Sequence, residues 1–199
     1  MTADILSTLR ERIQESRRAA VAQFREHERP DTLLGELRRI VDAALRDLVK
    51  HYPLPAGATL AAVGGYGRGE LYPHSDVDLL ILLPHAPTSE DESAIERLVA
   101  SLWDLGLEPG HSVRTIEDCE READADITVE TALLESRWLA GSRALMKKFE
   151  AATQSRLDAR AFFRAKRVEM QQRHARYQDT PYALEPNCKE SPGACATCR

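Results

Sequence analysis

Residues 59–83, TLAAVGGYGRGELYPHSDVDLLILL, leave the chain little choice of local structure. The apolar run from Thr59 to Val63 suits a buried strand. Gly64-Gly65 then lets the backbone turn sharply and approach a ligand with no Cβ in the way. A helix starting near Tyr66 would aim its free N–H groups and positive dipole end at that turn. Ser75-Asp76-Val77-Asp78 opens a second strand, whose alternation sends Asp76 and Asp78 to one face and Val77 to the other. The unbroken run from Leu79 to Leu83 reads as a strand covered on both faces. Two carboxylates fixed side by side repel each other until a cation sits between them. Oxygen ligands beside a phosphate-binding turn suit Mg²⁺ or Mn²⁺ shared with a nucleotide's phosphates.

A lone double glycine is ordinarily a turn, and a lone Asp-x-Asp a solvated strand edge. Their order here, with an apolar strand on each side, is what points to metal-and-nucleotide chemistry. The segment is not a dinucleotide fingerprint, because its next glycines fall at Gly67 and Gly69, and no Walker lysine-serine pair follows.

The flanks read as helices and one further strand. Apolar residues recur at helical spacing over 5–27 and again over 32–52, with arginines on the solvated side. Thr88 or Ser89 caps a helix running to Asp104. Residues 106–114 read as a third strand, bent at Pro109-Gly110. A helix-rich stretch follows from about 116 to 141, then a long charged helix over 158–177. With 199 residues and 43% hydrophobic content, the chain suffices for one sizeable domain with a helical appendage. The formal net charge of −5 argues against a nucleic-acid-binding surface. No apolar run reaches membrane-spanning length, and the start lacks a signal peptide's apolar core, so the expectation is a cytoplasmic protein without membrane partners.

The pattern GG-x-G-R-x-E-L-x-P-x-S-D-x-D resembles the signature of the polymerase-β-like nucleotidyltransferase superfamily. Four blocks in order extend the likeness: GGYGRGELYPHSDVDLLIL, LWDLGLEPGHSVRTIEDC, ADITVETALLESRWLAG and KRVEMQQRHARYQDTPYALEPNCKESPG. Together they resemble the amino-terminal part of the bacterial bifunctional PII uridylyltransferase/uridylyl-removing family. The resemblance implies an α+β fold, with a small mixed sheet flanked by helices and helical additions at both ends. It implies a helical segment over 1–55, a nucleotidyltransferase core over 56–150, a helical extension over 151–182 and a disordered, truncated tail over 183–199. It also implies transfer of UMP from UTP to a tyrosine hydroxyl of the signalling protein PII. A small-molecule nucleotidyltransferase shares the same core motif and is a weaker match to the later blocks.

In this chemistry Asp76 and Asp78 would hold the metal, while Gly64, Gly65 and the Ser75 hydroxyl would hold the triphosphate. Arg68 would pair with a phosphate. The superfamily adds a third carboxylate on the next strand, which makes Glu108 a candidate ligand or base, with Asp126 as its rival. Arg114 shares a strand face with Glu108, and His111 reads as structural. No H…HD pair is present, so uridylyl removal is not expected. Family members continue beyond Gly193 into a second glycine and a Leu-Arg-Asp stretch, whereas Ala194 to Arg199 follow here. Cys188, Cys195 and Cys198 lack the paired spacing and surrounding fold of a zinc site, so the end reads as truncated. Such a chain would be an active uridylyltransferase or a remnant that folds and binds nucleotide or PII.

Overall fold

The sequence forms a sheet whose two faces are covered by different helices, and that division places the cleft. The computed structural model describes residues 2–176. The expectations for the tail and its three cysteines lie outside the described residues. The chain divides into two compact units, 1–155 and 156–199.

In the first unit, α1 (Thr2–His27) and α2 (Pro30–His51) come first, and Pro30 stands where a helix needs no N–H. β1 (Thr59–Ala62) is central. It pairs antiparallel with β2 (Val77–Leu82) on one side and with β4 (Arg137–Gly141) on the other. β2 pairs in parallel with β3 (Pro109–Arg114), giving the order β3-β2-β1-β4 and the mixed sheet expected. A parallel pair requires a crossover, supplied by α4 (Ser89–Asp104).

Alternation along β2 sends Val77, Leu79 and Ile81 to a core shared with buried residues of α1, α2 and α4, among them Ile13, Leu37, Leu45 and Leu98. Leu80 and Leu82 point the other way. They pack with Cys119 of α5 (Ile116–Ala125), Leu133 of α6 (Ile127–Leu134), and Met146 and Phe149 of α7 (Arg143–Arg156). Each leucine so enclosed contributes about 1.5–3 kcal/mol.

Two helices start with the same reciprocal device. The Thr88 hydroxyl accepts from the Asp91 N–H at 3.3 Å, and the Asp91 carboxylate accepts from the Thr88 N–H at 2.9 Å. Thr115 and Asp118 repeat it on α5. The Thr115 N–H, with Arg121 beside it, holds the Asp118 carboxyl at about 2.

One expectation needs correction: the glycine-rich helix α3 (Gly64–Arg68) starts at Gly64, two residues ahead of Tyr66. The stretch 116–141 is helix-rich as expected, and it closes in the edge strand β4, which the helical reading did not include. In the second unit, α8 (Ala159–Arg176) starts where the Asp158 carboxylate accepts from the N–H groups of Arg160 and Ala161, and it buries none of its residues. Among the described residues, no helix is long and apolar enough to cross a membrane.

Candidate active site

Asp78 is the second residue of β2, on the face that Leu80 and Leu82 share, just beyond the helices that cover them. Two glycines enclose its carboxylate. An ideal Cβ on Gly110, its partner across the parallel ladder, would stand 2.4 Å from Asp78 Oδ1. One on Gly64 would stand 3.6 Å from Oδ2. Gly64 also has φ 58°, a left-handed conformation that L side chains rarely adopt. The Val63 N–H donates to the Asp78 carbonyl at 3.1 Å, so turn and carboxylate belong to one rigid frame.

The cleft that opens there has a volume of about 350 Å³. Val63, Gly64 and Asp78 form one end, Gly110, Ser112 and Arg114 of β3 one wall, and Thr128, Val129 and Ala132 of α6 the opposite wall. Arg114 lies 3.9 Å from the Glu122 carboxylate and keeps its guanidinium half-buried at the cleft. His111 also lines it.

The other expected residues stand differently. Asp76 is exposed, in the segment just ahead of β2 and two residues from Asp78. Ser75 is exposed in a turn closed by its own N–H donating to the Tyr72 carbonyl at 3.1 Å. Glu108 immediately precedes β3. Its carbonyl accepts from the Val77 N–H at 3.0 Å while its side chain is exposed. Asp126 is the N-cap of α6, accepting from the Thr128 N–H at 2.7 Å, and so sits at a helix start instead of on a strand. Arg68 is engaged by the Glu135 and Glu70 carboxylates and is not among the residues that line the cleft.

Among the described residues, no three of His, Cys, Asp and Glu converge as a metal cage, so Asp76, Asp78 and Glu108 do not close into a three-ligand set. The donor chemistry still fits a hard divalent cation. Mg²⁺ is commonly held by one or two carboxylates, with the remaining positions filled by water and substrate phosphates. The glycine cradle leaves the Asp78 oxygens room to serve in that way.

Behind the turn is a buried polar cluster that sequence reasoning missed. Asp42 of α2 accepts from the Tyr66 hydroxyl at 2.6 Å and from both terminal nitrogens of Arg137 at 2.8 and 3.1 Å. Arg137 also donates to the carbonyls of Tyr66 and Gly67, which ties α2 and β4 to the glycine helix. Burial, with the Asp42 charge beside it, pushes the Tyr66 hydroxyl well above the ordinary tyrosine range, so it stays protonated and donates. Burial likewise pushes the Cys119 thiol up to about 12, making it an inert core residue.

Comparison with known proteins accords with this geometry. Residues 41–139 match the nucleotidyltransferase domain family, and residues 161–195 match the GlnD PII-uridylyltransferase family. The bifunctional uridylyltransferase/uridylyl-removing enzyme of Bordetella avium is 81% identical over 94% of this chain and 22% of its own length. The corresponding enzyme of Cupriavidus pinatubonensis is 53% identical over 95% of this chain and 22% of its own. That of Burkholderia mallei is 55% identical over 87% and 20%. The chain thus spans about a fifth of the length of these curated relatives. Among solved structures, a chain from a toxin–antitoxin crystal structure with AMP-PNP covers 69% of this one and 96% of its own. It does so at 14% identity and a TM-score of 0.36, too loose a likeness to bear on function. This chain carries a nucleotidyltransferase domain and is related, over nearly its whole length, to the amino-terminal part of the bifunctional uridylyltransferase/uridylyl-removing enzymes.

Proposed function

We propose that this chain transfers UMP from UTP to a tyrosine hydroxyl of the PII signalling protein, breaking the α–β phosphoanhydride bond and releasing pyrophosphate, in the cytoplasm and with Mg²⁺ or Mn²⁺. The observation that carries the reading is the Asp78 carboxylate held between Gly64 and Gly110 at the end of an open cleft. A bound divalent cation would neutralise the negative charge that builds on the phosphoryl oxygens during transfer. Asp78 and Asp76 would be its protein ligands. The rigid turn at Gly64-Gly65 would let phosphates approach the backbone closely, and the Ser75 hydroxyl would donate to them. Glu108 precedes the strand beside Asp78 and would accept the proton from the attacking hydroxyl. Arg114, at the far end of the cleft wall, would contribute positive charge toward nucleotide or acceptor.

The test is to incubate the chain with α-labelled UTP, Mg²⁺ and PII, and to follow label on PII. Label on the PII tyrosine, lost when Mg²⁺ is chelated, upholds the reading. Nucleotide binding with no label transferred would make the chain a binding remnant.

Gly110→Ala probes the cradle itself. The added Cβ would meet Asp78 Oδ1, the far end of a side chain and not backbone, so the carboxylate has to shift while the strands stay paired. Transfer is expected to fall about 100-fold, as misplacement by an ångström can do, with the melting temperature nearly unchanged. An unchanged initial rate would show that the position of Asp78 is not critical.

A further inference from the structure

A second cavity, of about 600 Å³, lies on the opposite side of the molecule's first unit from the helices that frame the cleft. Its lining comes from three places: Arg17, Arg18, Val21, Ala22 and Arg25 of α1, Leu37 of α2, and Pro73-His74 of the turn leading to β2. The α1 residues follow the spacing of one helical stripe, so the three guanidinium groups address the same space. The stripe differs from four other basic residues of these helices. Arg12, Arg39, Arg46 and Lys50 all have carboxylate partners. The side chains of Arg17, Arg18 and Arg25 have none among the described residues, and no carboxylate lines the cavity.

Arg17 is the informative member. It is partly buried, and its Nε is enclosed with no hydrogen-bond partner. An enclosed, unpaired guanidinium N–H is costly, and loss of solvation lowers the pKa of Arg17. An anion beside the guanidinium offsets the loss of solvation of its charge. Three planar cations in one cavity exceed what a single carboxylate needs and match a group with several charged oxygens. The volume is that of a small-molecule site.

We propose that this cavity is a phosphate-binding site, in which Arg17, Arg18 and Arg25 seat the phosphate groups of a small polyanion away from the Asp78 cleft. A phosphate seated there contacts the turn that precedes Ser75 and Asp76, and so bears on how that segment is held. The phosphate belongs either to inorganic polyphosphate or to a nucleotide.

The test is calorimetric titration of the full chain with pyrophosphate, and in parallel with UTP, in EDTA so that no divalent cation supports binding at Asp78. Saturable binding of pyrophosphate is expected. Arg18 and Arg25 are exposed, so the double variant Arg18→Gln/Arg25→Gln is expected to fold, as circular dichroism checks. It should bind about tenfold or more weakly. Asp78→Asn should bind as the unmodified chain does. Equal affinity for UTP and pyrophosphate assigns the seat to phosphate alone, and tighter UTP binding with the same arginine dependence assigns it to a nucleotide. Should the double variant not fold, Arg25→Gln alone is measured, with a loss of about threefold or more expected. Undiminished binding by the folded variant, loss of binding on Asp78→Asn, or no binding of pyrophosphate by the unmodified chain overturns the proposal.

Discussion

Asp78→Asn is expected to abolish transfer while leaving the folded chain intact. The substitution keeps the shape of the side chain and removes its charge, so what is lost is attraction for a cation and its phosphates. A single electrostatic contact to a transition state is commonly worth about 10²–10³ in rate, and loss of a metal ligand should reach at least the top of that range. Asp78 is exposed, and substitutions at exposed positions usually change stability by no more than about 0.5 kcal/mol. A second readout needs no turnover. Mg²⁺ with UTP at about 100 times its dissociation constant should stabilise the native state by about 2.7 kcal/mol. For a domain of this size that raises the melting temperature by about 5–10 °C. Asp78→Asn should melt like the unmodified chain without ligand and gain nothing from Mg²⁺ and UTP. A variant that keeps the full increment would remove Asp78 from the proposed site.

What could be read in advance follows from how local each feature is. β1 and β2 were legible because their apolar runs are continuous and bounded by turn residues (Gly57 and Gly64 around β1, Ser75-Asp76 and Pro84 around β2), and a strand covered on both faces needs nothing else. The start of α4 was legible for the same reason, since a capping residue, Thr88 or Ser89, stands next to the helix it opens. β4 was not. Arg137-Trp138-Leu139-Ala140-Gly141 follows a helix without a strong turn signal, and its conformation is set by pairing with β1, almost eighty residues earlier in the chain. The site divides along the same line. Gly64 and Asp78 stand out as a motif. The role of Gly110 depends on the β2–β3 register, which sequence patterning does not determine. The pairing of Arg68 with Glu135 joins residues far apart in the chain, and patterning gives no sign of it. The cluster of Asp42, Tyr66 and Arg137 joins three elements far apart in sequence, and the one available sign was an aspartate on the apolar stripe of α2.

That aspartate should therefore be among the most costly side chains in the protein to remove. The carboxylate of Asp42 is 8% exposed and answers the Arg137 guanidinium and the Tyr66 hydroxyl, with Arg46 at 3.6 Å. Asp42→Ala leaves a partly buried cation and a buried hydroxyl with no acceptor, and breaking a buried pair in this way costs about 3–5 kcal/mol. That is a large share of the roughly 5–15 kcal/mol by which domains are stable. Asp47, five residues along the same helix, makes an instructive contrast. It pairs with both Arg12 and Lys50, yet its partners' side chains are 52% and 71% exposed. Water replaces those contacts, so Asp47→Ala should cost no more than about 1 kcal/mol. Urea titrations of the two variants measure the difference. Asp42→Ala/Arg137→Met should regain part of the loss, because the cation left unpaired is then gone as well. Equal stabilities for Asp42→Ala and Asp47→Ala would mean that the buried cluster does not hold the glycine helix in place.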